Sequence, residues 1–261
     1  MTNFIQPIFK STPKHSSKKT ARAFKAFVLG LVLVAPSVMA EMVISTTRVV
    51  YPETRREVSF TVNNGSKERP ALVQMWVDDG IKTDSPEDVV TPFNISPPIA
   101  RVSAQGTQVV RVTYTGDPLP ADRESLYWFN MLEVPPKSNA ENRLSFAVRT
   151  RIKLFFRPKS IKGEQSAAMS QVTWKVVQQE KGWAVEGNNP TPFHMSFLSL
   201  NLGEPGKQMA VTDGGMIAPL ARATFPITLE KLPEKYSQLV ADFINDYGGV
   251  NSTPFAIPAG K

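Results

Sequence analysis

The sequence predicts an all-β chain that folds into two β-sandwiches. Apolar and polar residues alternate along most of the periodic segments, and clusters of turn-forming residues separate these segments at roughly 8–14-residue spacing. No convincing amphipathic helix lies between them. The chain has 261 residues, enough for one large or two ordinary domains. Its composition, 41% hydrophobic and 20% charged, is normal for a globular protein with an apolar core.

Residues 1–40 resemble an export signal. They hold six of the 30 basic residues and no acidic one, and the apolar run "AFVLGLVLVA" and the small residues Val38 and Ala40 follow the basic stretch. The sequence therefore predicts a signal peptide cleaved after Ala40, with Glu41 as the first mature residue. A membrane anchor is the alternative, but a spanning helix needs about 20 apolar residues, roughly twice this run. Without these six, 24 basic residues remain against 23 acidic ones, which argues against a nucleic-acid-binding protein.

The first predicted sandwich covers residues 41–158. Its alternating segments include "EVSFTVNN", "ALVQMWVDD", "TQVVRVTYTG" and "ESLYWFNMLEV". Predicted turns rich in Gly, Pro, Asn, Asp and Ser separate them, namely "NNGSKERP", "TDSPED", "ISPPIARVSAQG", "TGDPLPADR" and "PPKSNAEN". A polar linker at 159–165 leads to a second sandwich over 166–261. Its segments are "QVTWKVVQQ", "GWAVEGNN", "FHMSFLSLNL", "ATFPITL" and "LVADFINDYGG".

The segment "LSFAVRTRIKLFFRP", Leu144–Pro158, alternates over an unusual length. It is predicted to form one long strand, whereas an ordinary strand has about 5–6 residues. Two interpretations remain open from periodicity alone. The strand either lies covered at the centre of a sheet, or presents an edge for a partner, because strand addition supplies backbone hydrogen bonds and places alternate side chains in the partner's pockets.

Residues for common catalytic and cofactor chemistry are scarce. The chain has no cysteine, and its two histidines are His15, in the export signal, and His194. We interpret His194 as a residue on the polar face of a strand. No zinc site of normal composition, no nucleotide-binding glycine motif and no serine-hydrolase elbow is present. The sequence therefore predicts no cofactor, no metal and no ATP site, and favours a protein that is not an enzyme, while leaving a carboxylate-only active site open.

Several motifs resemble the periplasmic pilus chaperones of the chaperone–usher pathway. These are "DRESLYWFNMLEVPP" followed by "LSFAVRTRIKLFFRP", together with "TTRVVYP", "NPTPFHMS" and "INDYGG", in the order found in that family. The resemblance covers essentially all of residues 41–250. It implies two immunoglobulin-like β-sandwich domains set at an angle, in a boomerang shape.

The resemblance also implies a function for the long strand. Such a chaperone inserts alternate residues of this strand into a pilin subunit that lacks its own last strand. By position, Leu144, Phe146 and Val148 are the inserted residues. The later residues of the same face are expected in the chaperone's own core, namely Ile152, Leu154 and Phe156.

Two further sets of residues match family positions. Arg48 in "TTRVV" and Lys153 in "RIKLFF" match an arginine and a lysine that hold the pilin's C-terminal carboxylate. Two cations would give charge-assisted hydrogen bonds to that group. Read without the motifs, they are solvated strand charges. Glu124, Arg157 and Asp246 match an ion network between the domains.

The implied partners are pilin subunits and an outer-membrane usher, and the implied location is the periplasm. Self-association of the free protein stays open, as does the identity of the pilus. The alternative hypothesis, from another class, is an exported structural or adhesive sandwich protein that uses the long strand in its own core. Such a subunit is expected to carry a donor extension at its mature N-terminus, and "EMVISTTRVVYP" leaves little room for one.

Overall fold

The computed structural model describes residues 42–81, 89–135, 146–180, 182–227, 232 and 235–257. Nearly all of the regular structure in these ranges is β-strand, arranged as two sandwiches with separate apolar cores. The predicted all-β class is confirmed. The predicted signal peptide and the segment "TDSPED" lie outside the described residues, as does Leu144.

Among its described residues, the first sandwich contains nine strands. In chain order they are β1 (Met42–Ile44), β2 (Arg48–Pro52), β3 (Glu57–Asn64), β4 (Ala71–Asp78), β5 (Phe93–Ser96), β6 (Ile99–Val102), β7 (Thr107–Tyr114), β8 (Ser125–Val134) and β9 (Val148–Arg157). One sheet has the order β1-β3-β7-β5 and the other β2-β9-β8-β4-β6. The chain changes sheets between β1, which pairs antiparallel with β3, and β2, which pairs parallel with β9.

The second sandwich begins with a short helix, α1 (Gln165–Ala168), followed by a 3₁₀ turn at Met169–Gln171. The strands in the described part of this sandwich are β10 (Thr173–Gln179), β11 (Gly182–Asn189), β12 (Met195–Glu204), β13 (Lys207–Thr212), β14 (Gly215–Ile217), β15 (Ala221–Pro226), β16 (Gln238–Ile244) and β17 (Val250–Ala256). One sheet has the order β10-β11-β15, and the other β13-β12-β16-β17, with β14 also paired to β12.

Alternation predicted the long, half-buried strands and missed the short ones. "ISPPIARVSAQG" was predicted to be a turn between strands, but it contains the end of β5 and all of β6. β13, β14 and β17 were also not predicted. β17, "VNSTPFA", contains Pro254 and lies at the edge of its sheet, where a residue without an N–H is tolerated. The domain boundaries at 158 and 166 stay a prediction.

The long strand begins later than predicted. β9 starts at Val148, and Phe146 and Ala147 precede it without strand pairing. Its partner β8 ends at Val134, and the pairing ends with Glu133 opposite Val148. Pro135 follows Val134, and because proline has no N–H to donate, the ladder does not extend in that direction. Within the described ranges, no helix is long and apolar enough to cross a membrane.

Candidate functional site

The two halves of β9 have different neighbours. Residues 153–156 lie between β8 on one side and β2 on the other, so this half is central in its sheet. Val148–Ile152, called here the open half, pairs with β8 alone, and no described strand pairs with its other edge. The interpretation as a covered central strand therefore fits the second half of β9, and the interpretation as an edge strand fits the first half.

Side-chain exposure changes along the even-numbered residues of β9 and of the short segment that precedes it. Phe146 is 73% exposed and Val148 is 54% exposed, although both side chains are large and apolar. Ile152, Leu154 and Phe156 are buried in the core of the first sandwich, which confirms that prediction. The face is therefore apolar throughout but buried only in its second part. Within the described part of the chain, the open half presents unpaired backbone groups beside uncovered apolar side chains, an arrangement that suits strand addition.

Arg48 and Lys153 are brought together by the parallel pairing of β2 with β9, in which they are directly opposite each other. Arg48 is only 5% exposed, so it is not a solvated strand charge. Its Nη1 donates to the carbonyl oxygen of Ile244 at 2.8 Å, and its guanidinium lies 5.6 Å from the centre of the Phe155 ring. Its Nε, also buried, has no acceptor among the described residues.

Lys153 reaches the same region from the neighbouring strand. Its Nζ donates to Oγ of Ser196 at 3.1 Å and lies 5.9 Å from the Trp128 ring centre. Burial, and secondly the charge of Arg48, lower the pKa of Lys153 to about 8. Burial also lowers the pKa of Arg48, although Asp246 and Glu124 partly oppose this effect. Two cations in a partly desolvated place form a site suited to an anion, and a carboxylate is one that both can hydrogen bond.

Arg157 joins two carboxylates that come from different sandwiches. Its Nε donates to Oε1 of Glu124 at 2.8 Å, and its Nη1 donates to Oδ2 of Asp246 at 2.7 Å. Burial acts to lower the pKa of Arg157, but the hydrogen bond to Asp246 and the charge of Glu124 outweigh it and raise that pKa. The three residues predicted as an ion network are therefore in contact, while their role in setting the interdomain angle stays a prediction.

His194 was interpreted wrongly from the sequence. It does not lie on a polar strand face but immediately before β12, buried where the two sandwiches meet. Its backbone N–H donates to Oε2 of Glu124 at 2.7 Å, and its Nδ1 lies 3.3 Å from the same oxygen. Its ring packs on Phe155, with 5.2 Å between ring centres. Phe155 breaks the alternation of β9, and that break is the sequence signal for this second apolar contact.

Comparison with protein families assigns both sandwiches. Residues 41–162 match the model of the pili and flagellar-assembly chaperone PapD, N-terminal domain, and residues 167–255 match the PapD C-terminal domain. The chain belongs to the PapD family of pilus-assembly chaperones. The predicted resemblance and the predicted two-domain fold are thereby confirmed.

Individual PapD relatives agree with this assignment over most of their length. The chain is 38% identical over 221 residues to the protein named "Probable fimbrial chaperone YadV" of Escherichia coli K12, covering 82% of this chain and 88% of that one. The crystal structure of the CupB2 chaperone of Pseudomonas aeruginosa matches with a TM-score of 0.70 and 38% identity, over 83% of this chain and all of that one. The Salmonella enterica SafB chaperone, solved in complex with the SafA pilin, matches with a TM-score of 0.68 and 26% identity, over 85% and 98% of the two chains.

Proposed function

We propose that this chain is a periplasmic chaperone that binds pilus subunits and delivers them to an outer-membrane usher. The open half of β9, together with the residues that precede it, adds to the subunit as its missing strand. Leu144, Phe146 and Val148 fill pockets of the subunit, and the C-terminal carboxylate of the subunit binds between Arg48 and Lys153. No cofactor, ATP or catalytic step enters this proposal.

One observation carries the proposal: β9 is central over its second part and open-edged over its first. A protein that used the strand only in its own core would bury the same face throughout. Here Phe146 and Val148 are exposed while Ile152 is buried. Fully burying a side chain of this size is worth about 1.5–3 kcal/mol, so a partner that covers the first two gains several kcal/mol.

The carboxylate site supports the proposal independently. A C-terminal carboxylate occurs once on each chain, so a fixed site for it also fixes which residues of the partner lie opposite the open half. Lys153 is itself a residue of β9, at the start of the half that β2 covers. The carboxylate site therefore lies where the open edge ends, and a partner strand whose C-terminus is bound there runs along the open half.

The test is isolation of the chain from a periplasmic extract, followed by native mass spectrometry. A one-to-one complex with a small exported subunit is the expected result, and a Lys153→Ala variant is expected to be isolated without it. Intact mass also checks the proposed mature start at Glu41. Recovery of the wild-type chain without any subunit, from cells that assemble pili, would contradict the proposal and favour the structural or adhesive alternative.

A further inference from the structure

Asp78, the last residue of β4, is a buried carboxylate on which four donors converge. Its side chain is 4% exposed. Nη2 of Arg149 donates to Oδ2 at 2.9 Å, Nδ2 of Asn130 donates to the same oxygen at 2.8 Å, and the N–H of Gly80 donates to Oδ1 at 2.9 Å. Nη2 of Arg151 also donates to Oδ1. Asp78 is not among the site residues predicted from the sequence.

The two arginines that meet Asp78 both lie on the open half of β9. Each is also placed over an indole ring: the guanidinium of Arg149 is 4.9 Å from the Trp76 ring centre, and that of Arg151 is 4.4 Å from the Trp128 ring centre. A buried charge is tolerated where it is paired and hydrogen-bonded. Asp78 therefore connects Arg149 and Arg151, two neighbours on the odd-numbered face of the open half, to β4 and β8.

Gly80 makes room for this arrangement. Its φ is +90°, in the region that favours glycine, and its N–H turns back to the Asp78 carboxylate. A Cβ at this position would lie 3.1 Å from Nε1 of Trp128 and 3.9 Å from Nη2 of Arg151. The turn that ends β4 thus both supplies a donor to Asp78 and leaves space for the Arg151 and Trp128 pair.

Besides its pairing with β8, the open half is held by bonds from Nε and Nη2 of Arg149 to Oδ1 of Asn130, at 3.0 and 2.7 Å. It pairs with β8 alone among the described strands, and its even-numbered face contributes no buried side chain before Ile152. A strand segment with one neighbour and little apolar burial opens locally at low free energy. The contacts to Asp78 act on the opposite face, and they are charge-assisted hydrogen bonds, which are roughly twice as strong as neutral ones.

We propose that Asp78 is a positioning residue that holds the open half of β9 as a strand before a partner binds. A segment that is already ordered loses less conformational entropy on association. Asp78 would thereby raise partner affinity without contacting the partner. The link to partner affinity rests on the proposed function, whereas the ordering of the free strand does not.

The experiment is hydrogen–deuterium exchange on the free protein, read by mass spectrometry in a peptide covering residues 146–152. The variant Asp78→Asn keeps an acceptor for the Gly80 N–H but removes the charge that both arginines share. Arg149→Gln is a second variant, since Arg149 is exposed and its replacement leaves Asp78 with three of its four donors. Glu57→Gln is the matched control, because it removes an exposed carboxylate paired with Arg111 in the other sheet.

Exchange in that peptide is expected to quicken by about tenfold or more in Asp78→Asn, and by less in Arg149→Gln, because hydrogen bonds to charged groups are lost. Peptides of the second sandwich, and Glu57→Gln throughout, are expected to match the wild type. Unchanged exchange in both variants, or an equal rise across the whole first sandwich, would overturn the proposal. Pilus-subunit affinity is measured in parallel. If the wild type binds no subunit while exchange responds as described, the proposed function fails and the role of Asp78 in ordering the strand stands.

Discussion

Arg48 and Lys153 are directly opposite each other on two parallel strands, and both side chains reach residues of the second sandwich. Burial, and secondly the neighbouring charge of Arg48, lower the pKa of Lys153, because two like charges partly withdrawn from water are unfavourable to each other. In the free chain their contacts beyond the first sandwich are a carbonyl oxygen of Ile244 and a hydroxyl of Ser196. A carboxylate bound between them would relieve the repulsion.

Replacing either cation with alanine is expected to weaken subunit binding strongly while leaving the chain folded. Each replacement removes one charge-assisted anchor, worth roughly 1.5–3 kcal/mol, or about tenfold to a hundredfold or more in affinity. Arg48 and Lys153 lie outside the apolar core, so Arg48→Ala and Lys153→Ala are expected to stay soluble. Calorimetric titration with a subunit measures the loss. Lys175→Ala, which removes a lysine paired with Glu186 on the second sandwich, is the control. Normal binding by either variant, or unfolding of both, would show that the anchor assignment is wrong.

Subunit binding is expected to weaken as the pH rises through about 8, the pKa of Lys153 in the free chain. Above this pH the ammonium loses its proton while a C-terminal carboxylate stays ionised, so one of the two anchoring charges disappears. Affinity measured across this range checks the prediction. Lys153→Arg is the control, since arginine keeps its charge throughout. An equally steep fall in the Lys153→Arg variant would assign the pH dependence to another group.

The same lysine is expected to make folding stability depend on pH in the opposite direction to subunit binding. Its pKa in the folded chain, about 8, lies below its ordinary value of 10.5, so the unfolded chain binds more protons between these two pH values. The contribution of Lys153 to the free energy of unfolding therefore increases with pH across that window and is constant below it. Urea unfolding of wild type and Lys153→Met, compared at the two ends of the window, is expected to show the difference in pH dependence. Parallel curves for the two proteins would contradict it.

Serine substitutions along β9 are expected to separate residues that serve a partner from residues that serve the chain's own core. Phe146→Ser and Val148→Ser are expected to reduce subunit affinity by a few kcal/mol, because about 1.5–3 kcal/mol accompanies burial of each side chain. The free protein is expected to lose little stability. Ile152→Ser is the control on the same face, and it is expected to lower the melting temperature because Ile152 is buried. Equal destabilisation by all three changes would contradict strand donation.

The sequence predicted what depends on local alternation and missed what depends on contacts across strands. β3, "EVSFTVNN", was predicted with its observed bounds because each of its even-numbered residues is more buried than the odd-numbered residue before it. The N-terminal end of β9 was predicted too early, since Phe146 and Ala147 belong to the predicted strand but precede β9. Alternation continues through Phe146, whereas strand pairing requires a partner, and β8 has ended by then. Local sequence does not encode where a neighbouring strand stops.

The same limit applies to the site residues. Arg48 and Lys153 are 105 positions apart, and only the motif resemblance placed them together, as the parallel pairing of β2 and β9 does in the fold. Asp78 was overlooked because an aspartate at the end of a strand, followed by Asp79 and Gly80, is typical of a turn. Its burial results from Arg149 and Arg151 on a strand some 70 residues later.

The network around Arg157 is expected to determine how the two sandwiches are oriented rather than to add much stability. Removing a single member leaves a buried charge unpaired, which lowers the free energy of unfolding by about 3–5 kcal/mol. Replacing all members by uncharged side chains of similar volume often leaves that free energy nearly unchanged. Arg157→Met leaves the Glu124 carboxylate, which is 1% exposed, without its arginine partner. This variant is expected to have a much lower free energy of unfolding. The combined variant Glu124→Gln, Arg157→Met and Asp246→Asn is expected to recover most of that loss.

Orientation is measured separately from stability. Because the chain has no cysteine, spin labels can be attached at Arg111→Cys in the first sandwich and Lys175→Cys in the second, both at exposed positions. The distribution of distances between the labels is expected to be narrow in the otherwise wild-type chain. It is expected to broaden in the combined variant even though that variant melts near the wild-type temperature, since the bonds from Arg157 to Glu124 and Asp246 are then gone. A narrow distribution in the combined variant would mean that the remaining contacts, such as His194 on Phe155, fix the orientation without the ion network.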